Sequence, residues 1–145
     1  MENTSLQMKI LQQAGKFLEI PPTYLMKPHP YCPIASEDYP DLDMTVTNEP
    51  IYTLLDHCSI AYTNNVTSAA VDAYCAEKIV LSILDPKKLN LSPLRGFYGV
   101  YFVSTAEELA YFLNKRDILK PISGQGQDYF YLDPNLPKWE NLLTE

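Results

Sequence analysis

Lys27-Pro28-His29-Pro30 sets one of only two histidines between prolines. The prolines limit the backbone around the imidazole, which can then donate to a phosphate or ribose oxygen or protonate a departing phosphate. A histidine that only bonds a nearby carbonyl fits the same run. Lys27 and Pro30 complete this candidate anion loop. A second place is Asn64-Asn65-Val66-Thr67-Ser68, a polar turn ahead of a helical pattern. Asn65 and the hydroxyls of Thr67 and Ser68 fall at the positive end of that helix, where a phosphate is favoured. Simple capping accounts for the same residues. Asp72 lies one turn beyond Ser68 and either bonds back to the turn or faces solvent. Arg95 follows Pro93-Leu94 and precedes Gly96; its fork suits paired bonds to phosphate oxygens and equally suits a surface ion pair. His57 closes a short helical pattern, where an imidazole suits the helix dipole, and no chemical role is assigned to it.

Other chemistries lack a pattern. No Ser-His-Asp order, HExxH, GxGxxG or P-loop run is present, so hydrolase, zinc-protease, dinucleotide and NTPase readings have no motif. The three cysteines, Cys32, Cys58 and Cys75, are odd in number and lack CxxC spacing. That argues against a zinc site or a complete disulfide framework and for reduced thiols. A net charge of −7 repels a nucleic-acid backbone as a whole, and the basic residues form no stripe interleaved with aromatics. A nucleotide remains compatible, because one phosphate needs only a local positive end. No apolar run approaches the roughly 18 residues of a membrane span, and no basic stretch leads into an apolar one, so a cytoplasmic domain is expected.

The elements that must hold these residues follow from periodicity. With 145 residues, 46% hydrophobic and 20% charged, one domain with one core is expected. Apolar residues at helical spacing predict a helix over 5–18, stopped by Ile20-Pro21-Pro22. Short extended runs follow over 23–27 and 43–47, then a brief helix over 51–57. A third strand over 58–63 leads into the strongest helix, over 67–78, with Ala69, Ala70, Ala73 and Ala76 allowing close approach to a sheet. Strands over 79–84 and 100–103 and a helix over 106–115 complete the pattern, with Ser104 or Thr105 as cap and Glu107 and Glu108 near the positive end. Strands alternating with helices predict an α/β, Rossmann-like parallel sheet of about five strands flanked by helices. In such sheets ligands lie beyond the carboxyl ends of the strands, which is where the loops above fall. The Gly-, Pro- and Tyr-rich tail, 121–145, is expected to dock on the domain.

Three runs in order, Lys27-Pro28-His29-Pro30, Tyr62-Thr63-Asn64-Asn65-Val66-Thr67-Ser68-Ala69-Ala70-Val71-Asp72-Ala73-Tyr74 and Leu89-Asn90-Leu91-Ser92-Pro93-Leu94-Arg95-Gly96, carry a family resemblance. Over about residues 5 to 143 the chain resembles the C-terminal half of bacterial GT-B glycosyltransferases of surface-polysaccharide synthesis. It is more distantly similar to capsule Kdo transferases, sialyl- and polysialyltransferases and CDP-glycerol polymerases, which share an HP motif and a later Ser/Thr pair. The resemblance implies that His29, Thr67 and Ser68 contact the nucleotide of an activated sugar donor, cytidine-linked, with no metal and no redox cofactor. It also implies a partner, an N-terminal Rossmann-like acceptor domain that this chain does not contain, so the chain is expected to hold the donor without independent turnover. Cys75-Ala76-Glu77-Lys78 departs from the pattern, standing where relatives tend to have a glycine. Two competing expectations are an interaction or regulatory module with a vestigial nucleotide site, and a flavodoxin-like phosphate or flavin binder.

Overall fold

The computed structural model describes residues 2–120 and Tyr129. Helix α1 spans Glu2–Ala14 and runs into a short 3-10 turn at Gly15–Phe17. Strands β1, Tyr24–Met26, and β2, Met44–Val46, are followed by α2, Ile51–Asp56. Then come β3, Ile60–Asn64, α3, Ser68–Cys75, β4, Ile79–Ile83, β5, Val100–Val103, and α4, Ala106–Asn114. The alternation of strand and helix and the parallel pairing are as the periodicity predicts.

The single five-stranded sheet is not formed. Among the described residues β1 pairs only with β2, and β3-β4-β5 make a separate three-stranded sheet, all pairs parallel. The reason lies on the free edge of β3. Ile79 N–H bonds Ser59 O, so Ile60, Tyr62 and Asn64 turn their backbone groups away from β4. Gln7 of α1 donates its side-chain amide to Tyr62 O at 3.2 Å, and the Tyr62 hydroxyl donates to Gln7 O at 3.2 Å. A helix side chain thus takes the carbonyl that a neighbouring strand would need. β1 is also only three residues long, enclosed by Pro22 and Pro28, and cannot extend a ladder.

Every residue of β4 is buried, as befits a central parallel strand covered on both faces. Ile79, Leu81 and Ile83 face α1 and α4, where they meet Met8, Leu11, Ala14, Leu109 and Leu113. Val80 and Ala61 face the other way, against Leu55, Ala70, Ala73 and the loop residue Leu94. The small residues of α3 therefore serve close packing on the sheet. Tyr129 packs its ring on this same side, 6.2 Å from Tyr74 and 5.6 Å from Phe97 between centroids. The rest of the expected tail docking lies outside the described residues.

The helix ends show where local sequence decides. Thr105 accepts a hydrogen bond from Glu108 N at 3.2 Å, and Glu108 Oε2 accepts from Ser104 N at 2.7 Å, a capping-box arrangement at the start of α4. α3 ends at Cys75, before the expected 78, because the chain turns into the left-handed region at Glu77, φ 57°. Glu77 N bonds Tyr74 O and Lys78 N bonds Ala73 O, at 3.0 and 2.9 Å. This is a Schellman stop, in which glycine is the usual occupant of the Glu77 position.

Candidate functional site

The gap between the two sheets is a cleft of about 490 Å³, within the range of small-molecule sites. β1 and Lys27-Pro28-His29 form one wall, and β3 with Asn64, Thr67 and Ala69 the other. Met8 and Leu11 of α1 and Leu109 and Leu113 of α4 close one side, while Ile51, Leu54 and Leu55 of α2 close the opposite side. Most of the lining is apolar, and polar groups enter it from both ends of the strands.

Four basic side chains line the cleft: Lys27, His29, His57 and Arg116. Among the described residues no Asp or Glu does, although the chain has 18 acidic residues against 11 lysines and arginines. Lys27 donates to Asn48 O at 3.2 Å and Glu49 O at 2.6 Å, tying the end of β1 to the loop that enters α2. An ammonium has three donors, so one remains for a ligand. Tyr31 N–H donates to His29 Nδ1 at 3.2 Å. Nδ1 accepts this bond, which leaves Nε2 as the ring nitrogen that can donate. Such an imidazole can hold a phosphate oxygen by a hydrogen bond.

Thr67 is the N-cap residue of α3, yet its hydroxyl makes no capping bond and donates instead to Asn64 O at 3.1 Å. Asn64 Oδ1 accepts from Val66 N, which shapes the turn. Simple capping by Thr67 or Asn64 is thus not what these side chains do, and the first turn of α3 is left without a side-chain cap. Thr63, next to this turn, is 8% exposed and its Oγ1 has no hydrogen-bond partner. It too belongs to the cleft wall.

The remaining sequence candidates stand elsewhere. Pro30 is exposed beside the cleft loop but does not line the cleft. Asn65 is buried and lines a separate niche of about 10 Å³ with Asp85 and Lys88, room for about one water. Ser68 and Asp72 are exposed on α3 and outside the lining. Arg95 is exposed on a turn in which Arg95 N bonds Ser92 O at 3.3 Å, and Ser92 and Leu94 are buried there. The cleft thus gathers Lys27, His29 and Thr67 and leaves out Pro30, Asn65, Ser68, Asp72 and Arg95.

Sequence reasoning missed Arg116 and passed over His57. His57 follows the last residue of α2, and Arg116 lies two residues past α4. Neither position has a motif; only the fold of β1 against β3 places both beside one opening. Cys58 lines the cleft as well, and burial pushes its thiol above the usual range, with Lys78 opposing. It is a poor nucleophile near neutral pH. All three cysteines are free thiols. Among the described residues no helix is long and apolar enough to cross a membrane. The chain matches no family model, no curated protein and no solved structure.

Proposed function

We propose that the cleft binds the nucleotide-activated sugar donor of a glycosyltransferase, a cytidine-linked donor by the family resemblance, with an acceptor domain supplied from outside this chain. The observation that carries the reading is the charge of the cleft. In a protein of net charge −7 the described residues of its lining hold two cations and both histidines and no carboxylate. That arrangement favours an anion, and the apolar part of the lining suits a base or sugar ring.

In this reading the phosphate lies at the uncapped start of α3, where backbone N–H groups and the helix dipole favour negative charge. His29 Nε2–H and the free donor of Lys27 reach it from the β1 side. As the bond to the sugar breaks and charge gathers on the phosphate, these fixed donors stabilise it. The base and ribose rest on the apolar walls, so binding energy away from the reacting bond orients the sugar carbon.

The test is an amide chemical-shift titration with CMP, CDP and UDP. Saturable shifts centred on His29 and Thr67 are expected, largest with the cytidine nucleotides. No shift at these residues at millimolar nucleotide overturns the reading.

A further inference from the structure

Residues from both ends of β3 line the cleft, and we call these two ends its mouths. α4 returns across the sheet from the end of β5, so its last residues lie at the starting end of β3-β4-β5. Arg116 there donates to Ile20 O at 3.1 Å, just ahead of β1, so β1 starts at that end too. His57 and Ser59, which lead into β3, are at the same end and also line the cleft. Lys27, His29 and Thr67 stand at the opposite end, after β1 and β3. Strands rise about 3.3 Å per residue, so the mouths are on the order of 15 Å apart along β3.

We propose that Arg116 and His57 form a second anion subsite at the starting end of the strands, which takes a carboxylate or phosphate group. This second subsite stands whether or not a nucleotide fills the first. Among the described residues no carboxylate pairs with Arg116, and one of its five donors is used on Ile20. The hydroxyl of Tyr24, in the same wall and close enough to feel the Arg116 charge, is buried without a hydrogen-bond partner among the described residues. Asp43, the acidic residue bonded nearby, accepts from the Thr23 hydroxyl at 3.0 Å and does not line the cleft. A guanidinium fork, an unused hydroxyl and an imidazole in the lining of one cleft suit an acid oxygen pair. The apolar stretch between the mouths suits the body of a ligand that carries an acid at each end, but two separate acids would satisfy the same groups.

The two histidines are the only ones in the chain and stand one at each mouth, so their imidazole proton signals report the ends separately. The full chain is titrated at constant pH with inorganic phosphate, dodecanoate and dodecanedioate. Phosphate is expected to move the His57 signal saturably, and Arg116→Gln to remove that response while the chain keeps its amide dispersion. Arg116→Lys, which keeps the charge and loses the fork, is expected to weaken the response at least threefold and serves if the Gln variant unfolds. One common midpoint for both histidines with dodecanedioate, at least tenfold below that of dodecanoate, assigns both acids to one ligand. Separate midpoints and no gain from the second carboxylate assign them to two molecules. A His57 signal that stays still with phosphate and dodecanedioate, or moves equally in the Arg116 variants, overturns the subsite. A still His57 beside a His29 that responds to CMP leaves the nucleotide reading intact, and the reverse pattern removes only that reading.

Discussion

The three-stranded sheet, with strands of 5, 5 and 4 residues, and the two-stranded one, with strands of 3 each, behave as different materials. β4 is buried along its whole length and is packed from both faces. β1 and β2 contain no buried residue; each alternates half-buried and exposed positions. The first sheet is a scaffold, and the second is a wall that carries Lys27 and His29 to the cleft. Burial thus differs sharply across the gap between β1 and β3, and substitutions on the two sides should not look alike.

The largest contrast is expected in the cores of the two sheets. Leu81→Ala empties a position that is 0% exposed and should cost about 2–5 kcal/mol in urea unfolding. Leu25→Ala on β1, 43% exposed, should stay within about 0.5 kcal/mol. Equal losses would break the division between scaffold and wall.

How far the sequence reveals this division depends on the residue. The alternation of apolar runs with helical spacing identifies β4, β5 and α4 almost to the residue, because buried parallel strands and amphipathic helices leave strong local patterns. Whether β1 joins β3 is not a local property. It is decided by Gln7, which lies 55 residues from Tyr62 and bonds its carbonyl. For the same reason Lys27, His29 and Thr67 are legible as candidates, through prolines and a helix start, whereas Arg116 is one more basic residue after a helix until the fold sets it beside β1. Arg95 and Asp72 attract notice by residue type, and their exposure outside the cleft could not be read from type alone.

The Tyr62–Gln7 pair that holds the gap open gives the next contrast. Tyr62→Phe removes one buried hydrogen bond and should cost about 1 kcal/mol. Burial pushes the Tyr62 hydroxyl upward from its ordinary 10.0, and Tyr24 shifts in the same direction. The unfolded chain ionises first, so this stability is complete below about pH 10 and is lost as pH rises through the higher folded-state value. A pH series of urea midpoints should therefore fall in that alkaline window and fall less in Tyr62→Phe. The smallest effect is expected at the helix stop on the scaffold side. Glu77→Gly relieves a left-handed backbone, φ 57°, and should raise stability by roughly 0.5–1 kcal/mol, after the added freedom of glycine in the unfolded chain is counted. A loss in thermal unfolding would show that contacts of the Glu77 side chain outweigh its backbone.

The wall is where the binding claim is decided. Calorimetric titration of CMP into the full chain and into His29→Ala tests it most directly, because His29 is exposed and its removal should leave the scaffold unchanged. The expected result is saturable binding that weakens about tenfold in the variant, as the loss of a hydrogen bond to a charged phosphate requires. Binding of equal strength in the two proteins, or no binding to either, would contradict a nucleotide held between β1 and the start of α3.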